Sequence, residues 1–361
     1  MTDSSIVLLG CGDVGPTKEP LDGYSTLVRP TLAAADFRFG QVERVYSERG
    51  TFQLQSDSPH SRVKPHLASV FSDCGFDVLS LASNHAMDWG DDGLIDNIEL
   101  FRKKGFKTIG AGRDIEAARL PAIIEKNGVR VAFLGYCSVH QEGCSAGSGK
   151  VGVAPLRART YYEQVDYQPG VAPRVLTIPY EEDIAAMVDD IAKAKKLAHA
   201  VVVSVHWGVH FVPRVIADYQ TVAAKAAFAA GADLILGHHP HVSKAIAVHG
   251  GKVCFYSLGN FIMSAGRRPH DARNKHYGVV VDDDHPADTR RGMIAKVNIT
   301  RKGVEKVSFM PVLIDKQLRP EILKRGDPRF DDAVNYLDWT SGDFDHKFTV
   351  EGDEVVVTGA S

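Results

Sequence analysis

Three separated segments of this chain each run from a short apolar stretch directly into histidine. Val201-Val202-Val203-Ser204-Val205 leads into His206-Trp207-Gly208-Val209-His210, and Leu234-Ile235-Leu236 leads into Gly237-His238-His239-Pro240-His241. Further upstream, Leu79-Ser80-Leu81-Ala82 leads into Ser83-Asn84-His85. Short apolar runs bounded by breakers read as buried strands. In an α/β protein the residues just past such strands are the ones that meet ligands. The pattern therefore restricts the chain to folds that bring several strand ends to one place.

The rest of the sequence supplies the intervening elements. Strands are expected at 6–11, 35–43, 76–82, 107–110, 200–205 and 233–236, and helices at 63–74, 89–103, 181–197 and 219–230. Asn127-Gly128 between 122–125 and 129–136 predicts a hairpin, because Asn-Gly readily adopts the dihedrals of a tight turn. A second hairpin is expected where Gly250-Gly251 separates 242–249 from 253–258. Gly12-Asp13-Val14-Gly15-Pro16 reads as a turn with Asp13 at its tip, and 43–66 as a surface loop. The recurrence of strand, ligand-like residue and helix is that of a layered α/β enzyme.

No internal repeat or low-complexity linker divides the 361 residues. The reading is one catalytic domain over 1–320, with loop insertions at about 138–180 and 264–292, and a C-terminal extension at 321–361 packed on it. The first insertion reads as an inserted flap or irregular crossover. The tail is expected to hold a short helix near 331–337 and a β-rich end at 347–357. Alternating strands at 293–299 and 304–312 precede it.

The 42 Lys plus Arg against 45 Asp plus Glu leave a formal charge of -3. No global field draws such a chain to nucleic acid or an anionic membrane. Cys11, Cys74, Cys137, Cys144 and Cys254 are odd in number and lack CxxC spacing, which fits buried thiols in a reducing compartment. With neither a signal-like N-terminus nor an apolar span, the expected location is the cytoplasm. The expected partner is a small-molecule or peptide substrate, and a homodimer is possible.

The histidines define a candidate metal centre. His239 and His241 flank Pro240, which restricts the backbone between them. His206 offers a third imidazole, and Asp13, Glu43 and Asn84 offer hard oxygen atoms. Imidazole mixed with carboxylate and amide suits Zn, Mn, Fe or Co rather than a calcium cage or a thiolate zinc site. His85, beside Asn84, is placed to protonate a leaving group or stabilise developing charge. His210 reads as a ligand, a substrate contact or a surface residue. Asp88 reads as a helix cap or a support near the site, and Trp207 as a pocket wall or core filler. Asn260 supports a ligand or occupies a turn, and His238 lies behind the cluster. The glycines at 10–15 lack the GxGxxG arrangement of a dinucleotide loop, and Gly147-Ser148-Gly149-Lys150 lacks the full phosphate-loop spacing.

Taken in order, Gly12-Asp13, Gln41-Val42-Glu43, Ser83-Asn84-His85-Ala86-Met87-Asp88-Trp89-Gly90, His206-Trp207-Gly208, Gly237-His238-His239-Pro240-His241 and Gly259-Asn260-Phe261 resemble a bacterial family. That family is the capsule-synthesis and poly-gamma-glutamate-synthesis (CapA-like) proteins, a branch of the calcineurin-like metallophosphoesterase superfamily. The resemblance implies an α/β, metallophosphoesterase-like two-sheet sandwich flanked by helices. It also implies a metal site at the strand ends, and the expected cofactor is two divalent transition-metal ions, with Mn or Zn favoured over Fe or Co. By matched position it assigns Asp13, Glu43, Asn84, His206, His239 and His241 to the metal region and His85 to catalysis. Gln41 stands where Asn is common, His210 where Glu is common, and Gly15 leaves no DxH pair at Asp13.

The resulting expectation is a soluble dinuclear metal-dependent hydrolase that cleaves an amide, ester or phosphoester bond with metal-bound hydroxide. The first alternative is a metal-dependent peptide or amino-acid epimerase or lyase that abstracts a proton alpha to a carbonyl. There His85 would be one proton carrier and Asp13 or His210 its opposite-face partner. The second alternative is a non-catalytic polymer-binding or assembly protein.

Overall fold

A computed structural model describes residues 5–19, 23–53, 62–168, 170–263 and 287–360. Alternation along the strands builds two sheets that face each other. In the strand Ser5–Val14, Ile6 and Leu8 point towards the second sheet, whereas Leu9 and Cys11 point towards a helical layer. That period of two is the geometry of an extended chain.

The larger sheet runs in the order Lys347–Glu351, Glu354–Thr358, Gly303–Ile314, Arg291–Thr300, Ser5–Val14, Phe37–Val42, Val78–Ser80 and Lys107–Ile109. The short strands Asn260–Ile262 and Pro320–Ile322 attach to Ser5–Val14 and Gly303–Ile314. The six-stranded sheet runs Ile246–His249, Lys252–Phe255, Leu234–His238, Ala200–His206, Val129–Cys137 and Ala122–Lys126. Between the sheets lies one apolar core that includes Leu8, Phe39, Phe133, Val202 and Leu236. Phe39 stacks on Phe133 across it, with ring centroids 6.0 Å apart. Gly10 permits this approach, since a Cβ there would lie 2.9 Å from Leu236.

Helices close both outer faces. Arg29–Ala33, Ser69–Asp73 and Gly90–Lys103 pack on the larger sheet, and Glu181–Lys195 and Asp218–Ala230 on the smaller. The chain is thus a mixed α/β sandwich flanked by helices. The helix Pro328–Ser341 sends Phe330, Ala333 and Leu337 into the core between the sheets. Among the described residues no helix is long and apolar enough to cross a membrane.

The sequence reading needs four corrections. The turn expected at Gly12-Asp13 is instead the end of the strand Ser5–Val14, because Asn260–Ile262 pairs with it from 247 residues downstream. Gly12 is what lets that backbone approach, since a Cβ there would lie 2.0 Å from the Gly259 carbonyl. The helix expected over 63–74 is a short strand, Arg62–Val63, then a 3-10 turn and the five-residue helix Ser69–Asp73. Part of the 138–180 insertion is regular, a two-stranded ribbon of Ala158–Glu163 and Arg174–Pro179. The strand expected from 242 begins only at Ile246. Most of the loop expected at 264–292 lies outside the described residues.

Candidate metal centre

The core strands of both sheets are parallel, and their carboxyl ends converge. In the larger sheet Ser5–Val14, Phe37–Val42 and Val78–Ser80 run side by side in one direction. In the smaller sheet Val129–Cys137, Ala200–His206 and Leu234–His238 do the same. The larger sheet delivers Asp13, Glu43 and the Ser83-Asn84-His85 turn, and the smaller delivers His206 and the 238–241 segment.

The acidic and basic groups meet at close range. Asp13, Glu43 and His206 each offer a ligand atom within 4.8 Å of the other two, and all three are fully buried. His206 Nε2 lies 2.8 Å from Asn84 Oδ1 and 3.6 Å from Glu43 Oε2. His241 Nε2 lies 3.7 Å from Glu43 Oε1, and its Nδ1 lies 3.3 Å from Asp13 Oδ2 and 2.9 Å from Asn260 Oδ1. His238 Nδ1 comes within 3.2 Å of Asp13 Oδ1. His239 donates its backbone N–H to Asp13 Oδ2 at 3.4 Å. Its ring lies 5.0 Å from that of His206 and 3.7 Å from that of His210.

Several of these atoms are buried without a hydrogen-bond partner. They are Glu43 Oε1, His206 Nδ1, His238 Nε2 and His239 Nδ1, while Asp13 Oδ1 and His238 Nδ1 have only each other, 3.2 Å apart. An unpartnered buried polar atom costs about 1–3 kcal/mol, so such a concentration needs a physical reason. The donor set of carboxylate oxygen and imidazole nitrogen fits a divalent transition ion. Asp13, Glu43 and His206 are the residues that could hold one, with Asn84, His239 and His241 around them.

Burial sets the protonation of this cluster. Burial alone would raise Asp13, but the His238 and His241 imidazoles hold its carboxyl far below the usual range. Burial, reinforced by the charge of Asp13, pushes Glu43 well up. Burial pushes His206 and His239 well below the usual imidazole value. Both are therefore neutral and able to offer a lone pair, the form a metal requires.

The backbone at 239–241 is unusual. His239 and His241 both have positive φ, 96° and 56°. Non-glycine residues held in that region cost about 1–3 kcal/mol each and cluster at functional sites. Phe211 donates its N–H to the Pro240 carbonyl at 3.0 Å, which ties the His210 turn to the same segment.

His85 is held from one side. Its Nδ1 lies 2.7 Å from Asp88 Oδ2 and its backbone N–H is bonded to Ser83 Oγ. Burial lowers the His85 pKa, although Asp88 opposes that shift. Asp88 is not the cap of the helix Gly90–Lys103, whose N-cap is Trp89 without a side-chain bond. Gln41 donates to the carbonyls of Val42 and Ala82, joining two strand-end loops. Trp207 is buried, stacks on Tyr256 and donates Nε1 to the Tyr256 carbonyl. Asn260 donates Nδ2 to the carbonyls of His241 and Thr289.

Two residues escaped the sequence reading. Ser83 donates its hydroxyl to Glu43 Oε2, and its place beside Asn84-His85 was the available signal. Lys244 is fully buried and donates Nζ to the Val215 carbonyl at 2.7 Å, anchoring the loop that carries His210. Burial pushes its amine down to about 7. No local pattern marks it, since its burial is set by distant segments.

This is an α/β sandwich with a buried Asp, Glu and His cluster at its strand ends. Residues 16–265 match the family model for the bacterial capsule synthesis protein PGA_cap, and the chain belongs to that family. The PGA biosynthesis protein CapA of Bacillus subtilis (strain 168) is 32% identical over 246 residues, 68% of this chain and 58% of that protein. The capsule biosynthesis protein CapA of Bacillus anthracis is 31% identical over 260 residues, 69% of this chain and 57% of that protein. The matched region thus spans a little over half the length of those relatives. A hypothetical protein from Thermus thermophilus aligns with a TM-score of 0.43 and 15% identity, over 87% of this chain and 96% of that one.

Proposed function

We propose that this protein is a dinuclear metal-dependent hydrolase of metallophosphoesterase-like fold, acting on an amide, ester or phosphoester bond. The observation that carries the reading is the buried cluster of Asp13, Glu43 and His206, whose ligand atoms lie within 4.8 Å of one another where the two sheets meet. Asp13, Glu43 and His206 would hold one ion, and Asn84, His239 and His241 would complete a pair, with Mn or Zn favoured. Such ions supply Lewis-acid polarisation of a carbonyl or phosphoryl oxygen and acidify water.

The protein's own side chains do the rest. Asp88 accepts the Nδ1 proton of His85, which leaves Nε2 as the nitrogen that gives or takes a proton at the leaving group. Ser83 and Gln41 fix the loops on which Glu43 and Asn84 sit. Asn260 orients His241 through Nδ1 and so turns Nε2 towards Glu43. The catalytic unit is assigned to 1–320, with 321–361 as an extension packed on it.

Elemental mass spectrometry on protein purified without a metal-affinity tag tests the proposal, with the His239→Ala, His241→Ala double variant alongside. Two equivalents of a transition metal in the wild type, lost in the variant, are expected. Solvent oxygen should then appear in a product of a phosphoester, ester or amide screen. Wild-type protein that neither contains nor takes up Mn, Zn, Fe or Co would sink the reading. Solvent deuterium incorporated without bond cleavage would replace hydrolysis by epimerisation.

A further inference from the structure

The open edges of the two main sheets carry lysine, are short or are covered, and one edge elsewhere among the described residues carries charge but has neither lysine nor cover. Lys347 and Glu351 lie on the edge strand Lys347–Glu351, Glu125 and Lys126 on Ala122–Lys126, and Lys107 on the three-residue Lys107–Ile109. The edge strand Ile246–His249 has its Ile246 and Val248 N–H groups bound by Ser341 Oγ and the Asp345 carbonyl. Charge, shortness and covering are the ordinary ways by which a protein prevents strand-to-strand association.

The ribbon of Ala158–Glu163 and Arg174–Pro179 differs. Its second strand is covered, because Thr177 donates its N–H to Asp218 at the start of the helix Asp218–Ala230. Among the described residues, nothing pairs with the outer edge of Ala158–Glu163. That strand, Ala158-Arg159-Thr160-Tyr161-Tyr162-Glu163, is six residues long, with no lysine, proline or bulge. Tyr161 is 45% exposed, Tyr162 69% and Ile178 54%. An isolated two-stranded ribbon is only marginally stable in water, so a further strand on this edge would add support.

The hydrogen-bond parity of the ribbon restricts what can dock there. Thr177 is the partner of Thr160, and its N–H points outward, so the Thr160–Thr177 pair is a non-hydrogen-bonded one. Thr160 and Tyr162 therefore present their N–H and C=O groups on the free edge, and Arg159, Tyr161 and Glu163 turn theirs inward. An antiparallel copy centred on Tyr161 sets Thr160 against the partner's Tyr162, edge group to edge group. The same register sets Arg159 opposite the partner's Glu163, which also has Arg174 of its own chain 3.9 Å away, and by symmetry Glu163 opposite the partner's Arg159. One strand thus carries both halves of a self-complementary charge pattern, as an isologous interface requires.

We propose that two copies of this chain associate through antiparallel pairing of their Ala158–Glu163 strands about a two-fold axis at Tyr161, with Arg159 bound to the partner's Glu163. The interface extends each ribbon into a four-stranded sheet, with Tyr161, Leu176 and Ile178 on the face shared by the two charges. It stands independently of the metal chemistry.

Charge reversal tests the pairing, with mass measured by light scattering after size exclusion. Wild-type protein is expected to be dimeric. Arg159→Glu and Glu163→Arg should each weaken the dimer by about tenfold or more, since like charges then lie opposite one another. The double variant Arg159→Glu, Glu163→Arg should restore it to within about threefold, the signature of a direct pair. Both substitutions are on the exposed ribbon and leave the core untouched.

A second readout fixes the register. Tyr161→Cys should form an intermolecular disulfide on mild oxidation, because non-hydrogen-bonded partners lie about 4.5 Å apart at Cα, within disulfide reach. Glu163→Cys should not. The five native cysteines are buried and do not interfere. Wild-type protein that stays monomeric up to roughly 100 µM, where even a weak interface is populated, would overturn the proposal. So would a dimer that all charge variants leave intact, or a double variant as monomeric as the single ones.

Discussion

The two sheets contribute opposite chemistry to the same point. The larger sheet brings the carboxylates of Asp13 and Glu43, and the smaller brings His206, His238, His239 and His241. Alone, the larger sheet would bury two carboxylates that repel each other, and the smaller a set of imidazoles with no carboxylate beside them. Packing the sheets through Phe39, Phe133 and Leu236 brings the two sets within a few ångströms. The carboxylate half answers burial by splitting, with Asp13 ionised and Glu43 pushed towards the neutral form. The imidazoles of His206 and His239 answer it by losing their protons. The difference teaches that a cation suits the junction of the halves better than either half alone.

Removing one member of each half tests this most sharply. Asp13→Asn and His206→Ala should each weaken Mn or Zn binding by about a thousandfold or more, on the scale of a lost buried charge or ligand. Equilibrium dialysis with elemental analysis reads the loss. An effect confined to one half would break the comparison. Next in size, His85→Ala should retain metal yet lower turnover by about 10²–10⁴-fold, the usual worth of a general acid. Turnover measured at matched metal content checks it, and unchanged turnover would remove His85 from its role.

The contact that joins the halves is expected to cost stability rather than affinity or turnover. Phe39→Ala leaves a cavity opposite Phe133 and should destabilise the fold by about 3–5 kcal/mol, read by denaturant titration. Metal affinity should also depend on pH. Glu43 holds its proton to unusually high pH, so a cation must expel it, and affinity should rise with pH. Calorimetry in buffers of different ionisation enthalpy would register the released proton, and its absence would contradict the split between Asp13 and Glu43.

The smallest effect expected lies outside the cluster. Lys244 has its amine pushed down from 10.5 to about 7, so above pH 7 the folded protein leaves it neutral while the unfolded chain still binds the proton. The unfolded state then holds more protons, and stability should climb as pH rises from about 7 towards 10. At about 1.4 kcal/mol per unit the full climb is a few kcal/mol at most. Lys244→Met should flatten it in denaturant titrations repeated across that range.

Much of the fold was legible because the strand signal is local. The hairpin at Asn127-Gly128 and the helices Gly90–Lys103 and Asp218–Ala230 follow from turn chemistry and apolar spacing a few residues long. The residues that meet in the buried cluster were legible for the same reason, since Glu43, His206 and His239 sit at or just past the carboxyl ends of apolar strands. What failed was long-range. Asp13 looked like a turn tip because nothing near it announces Asn260–Ile262 as its strand partner. Asp88 looked like a helix cap because its bond to His85 depends on how one turn closes.

By itself the sequence determined which groups could act: the histidines, the carboxylates and the strands that end beside them are covalent facts of composition and period. Only the tertiary structure decided which atoms meet. Whether Glu43 faces His206 and His241, whether His239 Nδ1 is buried without a partner, and whether Ala158–Glu163 keeps an open edge all depend on sheet packing between distant segments. Distances of a few ångströms fix charge state and ligand geometry, and no local pattern encodes them.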